Sequence, residues 1–461
     1  MKPAFDALRL RVSNDAPVRA EREFVLYWCI AARRTHANFA LDRAIAWAKE
    51  LGKGLVVLEA IRVDGPWASR RVHAFVIEGM ADQRARYGSS PIAYHAYVEP
   101  SVGAGRGLLE ALAHHAAVVV TDEWPCLFHP AMVEAAGARL DVRLEVVDGN
   151  GLVPLAAADK DYKRAFDFRR ALPKLLAHDS PCADPLAGLD LPRVVVPADV
   201  RATWPDGPTD LSTLPIAQLA RCPITGGHAA GRLVLEDFVG RLARYDEGRR
   251  HPDEHATSGL SPWLHFGAIS AHEIVAAVRA VAPGETEPFG VSTEASTFLD
   301  ELVTWRELAF HTAARNPLAF VYEGLPAWAR ESLEREVPTP REAIYDLATL
   351  DAAATHDPIW NAAQRQLRSE GKIHNYLRML WGKRVLAWSE DPRDAFATLV
   401  ELNNRYAIDG RDPCSYAGIA WCFGRYDRPW PRQPVFGVVR MMSSASTRKK
   451  VHLGHYLERW A

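Results

Sequence analysis

Five short runs in the first third of the chain, "REFVLYWCI", "GLVVLEAI", "IAYHAYV", "AVVVTDE" and "VRLEVVDG", are apolar, rich in β-branched residues and of buried-strand length. Between them lie amphipathic stretches such as "ANFALDRAIAWAKELG" and "RRVHAFVIEGMADQRARYG". Strand and helix patterns alternating in this way leave few folds open: a Rossmann-like, doubly wound parallel sheet with helices on its faces. "VGAGRGLLEAL" places Gly103, Gly105 and Gly107 before a helix pattern. Its spacing is not that of a dinucleotide fingerprint, so these are read as turn and helix-start glycines.

From about Gly149 to Pro215 the alternation weakens into Pro- and Asp-rich text such as "PCADPLAGLDLPRVVVPADV". A long connector laid over the surface is expected there. Beyond it strand patterns nearly vanish, and "TFLDELVTWRELAFHTAARN", "IWNAAQRQLRSEG", "YLRMLWGKRVLAWS" and "DAFATLVELNNRYA" carry helical periodicity. Nine of the 14 tryptophans fall at or beyond Trp263, which makes this back half aromatic as well as helical. The expected organisation is an α/β domain over residues 1–150, a connector over 151–215 and an all-α domain over 216–461.

Composition narrows the function classes. No run of about 18 uncharged apolar residues occurs, so no membrane span is expected. The charged start, "MKPAFDALRLRVSNDAPVRAEREF", lacks the apolar centre of a signal peptide, and a cytoplasmic protein is expected. Cys29, Cys126, Cys182, Cys222, Cys414 and Cys422 are scattered without a C-x-x-C pair. They are read as reduced thiols, neither a metal site nor a disulfide framework. Net charge is only −2, yet Arg425–Ala461 holds eight Lys or Arg against two Asp or Glu, interleaved with aromatic residues. That patch suits a solvated terminal segment and a nucleic-acid surface equally.

Three stretches carry chemistry. Trp381 and Trp388 are seven residues apart, on one face of a helix and about 10.5 Å apart along its axis, with Trp360 on the preceding helical segment. Buried packing explains this spacing, and so does a path for electrons. In "HATSGLSPWLHFGAIS", hydroxyls at Thr257, Ser258 and Ser261 surround Gly259 ahead of Pro262. Such a bend suits phosphate oxygens, and it equally suits a helix cap. "ELNNRYAIDGRDPCSYAGIAW" crowds Asn403, Arg405, Asp409, Arg411 and Asp412 around one turn, fit for a heteroaromatic edge or for a surface salt-bridge loop.

With "FLDELVTWREL", "THDPIWNAAQ" and "GKIHNYLRMLWGKRVLAW", these stretches together resemble the photolyase/cryptochrome flavoproteins, most closely the class II cyclobutane pyrimidine dimer photolyases. The resemblance is dense from about Tyr245 to Trp430 and colinear but weaker in the front domain. It implies an α/β domain followed by a helical domain that holds FAD, active in its reduced anionic form, and leaves room for an antenna chromophore of unknown identity. Tyr245, Thr257, Ser258, Gly259, Leu260 and Ser261 match residues lining the flavin phosphates and ribityl chain. Arg378 and Asp409 match a pair beside the isoalloxazine, and Asn403 the residue facing its N5. Trp360, Trp381 and Trp388 match the class II electron relay. Glu301, Trp305, Met379 and Trp421 match the pocket for a flipped-out lesion, and Arg249, Arg428 and Arg440 match or lie near phosphate-contacting positions.

The implied function is light-dependent repair of DNA containing cyclobutane pyrimidine dimers by a deoxyribodipyrimidine photo-lyase that works as a monomer without metal. A cryptochrome-type photoreceptor is the alternative, against which the retained lesion-pocket residues and Asn403 count. Repair of (6-4) lesions lacks its pair of pocket histidines, and a non-flavin nucleotide-binding protein leaves the tryptophan-rich back half unexplained. Departures from the class II pattern are Asn375 for Gly, Leu380 for Tyr, Asn404 for Asp and the wording of "CIAARRTHANFALDRA".

Overall fold

In the front of the chain, five of the six strands are those expected. The computed structural model describes residues 7–158, 160–176, 184–207 and 210–461. The strands are β1 (Leu10–Val12), β2 (Phe24–Cys29), β3 (Gly54–Ile61), β4 (Ala93–Val98), β5 (Ala116–Asp122) and β6 (Leu144–Val147). They form one sheet in the order β1-β6-β5-β2-β3-β4. All pairings are parallel except β1 with β6. Every residue of β2 and of β5 is buried, as continuous apolar runs in a two-sided parallel sheet require. β1 escaped the sequence reading because it is three residues long, carries Arg11 and has two exposed positions.

Helices α1 (Phe39–Leu51), α2 (Arg70–Gly88), α3 (Leu108–His114) and α4 (His129–Arg139) connect the strands. Asn38 caps α1 by accepting from the Leu41 N–H, and Gly52 ends it in the left-handed conformation. Gly107, at φ +86°, is the residue before α3, which is the helix-start role expected of it. Val25, Tyr27, Leu41, Ala44, Val57, Val118 and Val120 pack into one core under α1.

In a doubly wound sheet the ligand crevice lies where β2 and β5 leave the sheet on either side of the reversal. Here Asp122 fills that role internally. Its Oδ2 accepts from the backbone N–H groups of Ile30, Ala31 and Ala32 at 2.9, 2.8 and 3.1 Å, and Oδ1 from the Tyr27 hydroxyl at 2.8 Å. The amides a nucleotide phosphate needs at this turn are already spent on a carboxylate.

The chain forms two compact units. One comprises Met1–Asp159, Leu175–Leu235 and Leu260–Ala277; the other comprises Lys160–Lys174, Glu236–Gly259 and Val278–Ala461. The stretch expected as a surface connector is more structured than that. It contains α5 (Ala165–Leu175), whose Phe168 and Leu172 are fully buried, because the apolar spacing of "AFDFRRAL" gives a helix with one packed face.

The second unit is helical; among its described residues the one strand is the four-residue Pro283–Thr286. A long helical run comprises α6 (Thr293–Leu299), a π-helical segment over Asp300–Trp305, and α7 (Arg306–Arg315). Then come α8 (Pro358–Glu370), α9 (Asn375–Trp388), α10 (Pro392–Tyr406) and α11 (Pro413–Cys422). Three of these begin alike. Asp357-Pro358, Asp391-Pro392 and Asp412-Pro413 each place a carboxylate on the first free N–H groups and a proline at the first helical position. α9 packs against α8, α10 and α11, and α7 against α11. No helix among the described residues is long and apolar enough to cross a membrane. Cys29, Cys414 and Cys422 are free thiols; Cys182 lies outside the described residues.

Candidate functional site

Trp360 enters from α8, and Trp381 and Trp388 from α9; all three are almost wholly buried. Trp360 sits between the other two. Its ring stacks on Trp381 at 6.3 Å between centroids and 6° between planes, and meets Trp388 edge-on at 5.6 Å. Its indole N–H donates to the Trp381 carbonyl at 3.0 Å, while the Trp381 N–H donates to Gln364 Oε1 at 3.0 Å. The order Trp381–Trp360–Trp388 was not legible in the spacing of the sequence, which pairs only the two residues sharing a helix.

Beside this stack α9 carries Arg378, which grips Asp409 with both terminal nitrogens, at 2.8 and 3.3 Å. Asn403 on α10 is buried and donates to Ser415 Oγ at 2.6 Å and Asn404 Oδ1 at 3.2 Å, which fixes its amide. Asn404 is fully buried and donates to the Tyr416 hydroxyl at 2.9 Å. An amide at this position reaches a hydroxyl as donor, which the usual aspartate carboxylate could not do. Leu380 is buried apolar packing, and Asn375 is the exposed first residue of α9.

His374, just before α9, was quoted within a motif but not singled out. Neither of its ring nitrogens has a hydrogen-bond partner among the described residues, and the buried Nε of Arg378 has none either. Burial, and then the nearby His255 and His251, push the His374 imidazole down to about 4, so it is neutral near pH 7.

Tyr245 is buried edge-on against Phe238 and Phe298. Burial, and then the charge of Glu301, push its phenol upward. Thr257, Ser258 and Gly259 form an irregular, partly exposed stretch in the helical unit. Gly259 has φ +69°, and a Cβ there would meet nothing within 4 Å, so open space borders its backbone. Leu260 and Ser261, expected beside them, are grouped with the sheet unit, where Ser261 opens a five-residue helix.

Glu301 and Trp305 lie on the π segment, both partly exposed, while Leu302, Val303 and Thr304 between them are buried. Extra-wide turns of this kind re-aim side chains and recur at functional sites. Arg249 Nη1 lies 2.6 Å from Glu301 Oε1. Arg249, expected on DNA phosphates, is therefore ion-paired across 52 residues of sequence. Trp305 meets Tyr426 at 6.4 Å between centroids. Met379 and Trp421 are partly exposed, and Met379 approaches α11 at Gly418, one turn before Trp421.

Around Trp421 cations and indoles alternate. Lys383 lies 5.1 Å from its ring and Arg440 5.9 Å; Arg440 also lies 4.8 Å from Trp430, and Arg428 5.4 Å from Trp430. Arg428 and Arg440 are exposed, as a phosphate-facing role demands. Lys383 is instead buried, donates to the Cys422 carbonyl at the end of α11 at 2.6 Å, and is pulled down to about 8 by burial.

The overall fold is shared with photolyases and cryptochromes. A class III photolyase of Agrobacterium tumefaciens superposes with a TM-score of 0.71 at 21% identity, covering 95% of this chain and 86% of its own. A cryptochrome of Synechocystis superposes at 0.66 with 17% identity, covering 95% and 88%. No family model matches the sequence. A protein of Methanothermobacter thermautotrophicus named deoxyribodipyrimidine photo-lyase is 34% identical over 468 residues, 98% of each chain. The chain belongs to the photolyase/cryptochrome family, whose members are flavoproteins.

Proposed function

We propose that this protein is a deoxyribodipyrimidine photo-lyase, binding FAD in its helical unit and splitting cyclobutane pyrimidine dimers in DNA with light. One observation carries the proposal: a buried tryptophan stack on α8 and α9 shares its helices with the partly exposed Met379 and with polar groups left unsatisfied. The full-length relative named for this activity agrees.

The residues present fit a flavin. Two bare imidazole nitrogens at His374, the buried Arg378 Nε and open space beside the Gly259 backbone await a polar, flat partner. The Arg378–Asp409 pair offers a donor and an acceptor side by side to a heteroaromatic edge, and the fixed Asn403 amide would face the ring system. Thr257 and Ser258 would hold the phosphates. When bound, FAD in its reduced, anionic form would supply the electron for splitting the dimer and take it back once the ring has opened.

The other residues act on the DNA. A stacked dimer cannot reach a buried cofactor, so it must leave the duplex, at a cost lowered by its poor pairing. Trp305 and Trp421 would wall the extruded dimer, with Met379 near Gly418 on α11. Glu301 would donate a hydrogen bond to a dimer carbonyl as negative charge builds there. The Arg249 guanidinium holds the Glu301 carboxyl at 2.6 Å. An arriving phosphate would draw Arg249 away and free the Glu301 carboxyl for the dimer, which unites the two roles expected of the pair. Arg428 and Arg440 would contact the backbone. Since Asp122 occupies the crevice of the sheet, a nucleotide-binding role for the front of the chain finds no support.

The test is reversal of a defined dimer. Cofactor released from the purified protein by heat is identified as FAD; the chemically reduced protein is then mixed with an oligonucleotide bearing one thymine dimer. Dimer loss in blue light and not in darkness is expected. Bound FAD without dimer loss in light would make the protein a cryptochrome-type photoreceptor.

A further inference from the structure

The tryptophan contacts end at Trp388, but the aromatic contacts do not. Tyr345 meets the Trp388 ring edge-on at 5.2 Å and 84°, and His356 meets it at 5.5 Å. Trp388 is 1% exposed, whereas Tyr345 is partly exposed and the His356 side chain is 44% exposed. The buried stack therefore reaches solvent through this tyrosine and histidine.

Hydrogen bonding separates Trp388 from Tyr345. The N–H of Trp388 has no hydrogen-bond partner among the described residues, so none of their side chains is placed to take a proton from its oxidised ring. The Tyr345 hydroxyl accepts from the His356 backbone N–H at 3.0 Å and lies 2.5 Å from His356 Nδ1. With its oxygen already accepting, the phenol donates to Nδ1, which leaves the imidazole proton on Nε2. Nε2 in turn faces Glu342 Oε1 at 3.7 Å. A phenol joined to a base can lose an electron and a proton together, which avoids a charged phenol radical.

Charge favours the same direction. The Arg384 guanidinium sits 4.5 Å from the Trp388 ring and opposes positive charge on the indole. Its own partners, Asp357 at 3.3 Å and Glu342 at 3.2 Å, soften the effect without removing the cation from the ring face.

We propose that Tyr345 is the terminal electron donor of the tryptophan stack, with His356 as its proton acceptor. The proposal rests on the stack acting as a relay. One electron leaves the tryptophans for the light-excited, oxidised flavin, and the positive hole comes to Trp388. Tyr345 gives one electron to Trp388, restoring a neutral indole, while its O–H bond breaks and the proton passes to His356 Nδ1. The products are a neutral tyrosyl radical and an imidazolium facing Glu342. An external reductant of the thiol class then supplies one electron at the surface, and the proton returns from His356 to the phenolate oxygen.

Electron paramagnetic resonance on the flavin-bound protein, oxidised and flash-illuminated without reductant, tests this. Wild type grown on ring-deuterated tyrosine should give a tyrosyl signal that narrows relative to unlabelled protein. Tyr345→Phe and His356→Phe should both give a tryptophanyl signal instead, decaying about tenfold faster or more, since the hole stays within the stack. Substitutions that merely loosen packing would not change which residue type carries the spin. A tryptophanyl radical in wild type, as long-lived as in Tyr345→Phe, would overturn the role of Tyr345 while leaving the relay intact. No protein radical in any form would overturn the relay and this proposal together.

Discussion

Single residues divide into those whose partners lie close in sequence and those whose partners do not. Trp381 and Trp388 were legible as a pair because one helix fixes their spacing, but the central position of Trp360 depends on how α8 lies against α9. Trp360→Phe should therefore interrupt both contacts at once. Photoreduction of oxidised protein by an external thiol should fall at least about tenfold, with a stability loss of only about 1–3 kcal/mol from the smaller ring. Dimer reversal by chemically reduced Trp360→Phe should match wild type. A lower melting temperature with photoreduction unchanged would mean that the tryptophans serve packing alone. Glu301 shows the opposite limit: its acid was visible in sequence, but the Arg249 beside it was not, because no local pattern joins residues so far apart. Glu301→Ala should retain cofactor and reduce dimers split per absorbed photon roughly tenfold to a hundredfold, the worth of one hydrogen bond to a charged group. Equal yields for wild type and variant in a steady-state light assay would remove Glu301 from the reaction.

Secondary-structure elements were legible where burial is one-sided or complete, and hidden where a neighbour decides. β2 and β5 announce themselves as unbroken apolar runs, and the Asp-Pro starts of α8, α10 and α11 carry their capping chemistry in two letters. β1 is a strand only because β6 lies beside it. The π segment was invisible because one widened turn leaves the apolar periodicity of "FLDELVTWREL" nearly unchanged. The roles of the individual site residues came with the resemblance, since neither periodicity nor charge distinguishes a lesion wall from a core tryptophan. At the C-terminal element, the alternation of Arg428, Trp430, Arg440 and Trp421 joins basic and aromatic residues on an exposed face. Arg440→Ala should weaken binding to damaged and intact DNA alike, and flatten the salt dependence by about one phosphate contact. Titrations at several salt concentrations check this; a loss confined to damaged DNA with an unchanged slope would place Arg440 on the lesion instead.

Across the whole molecule, two histidines tie stability to pH. Burial first, against the raising effect of the Cys126 carbonyl, brings His129 down to about 4, and burial likewise brings His374 to about 4, from an ordinary 6.5. Both are neutral in the folded chain and take up protons in the unfolded one between those values. Stability is therefore intact above about pH 6.5 and falls as pH drops toward 4, by up to about 3 kcal/mol for each histidine. Denaturant melts across that range check the sign, and His129→Gln should flatten the slope. FAD bound against His374 should change the slope of the helical unit, so cofactor-free and cofactor-bound protein should differ. The central claim is that light drives an electron out to the dimer and back, with no net oxidation. Its most direct test uses chemically reduced protein, freed of excess reductant and held under argon, given a many-fold excess of dimer-bearing oligonucleotide and a counted series of flashes. Dimers split should exceed the protein many times over, while the absorbance of the reduced flavin stays as it was before the first flash. Splitting that stops at one dimer per protein as the flavin oxidises would show an electron spent and not returned, and would contradict the account.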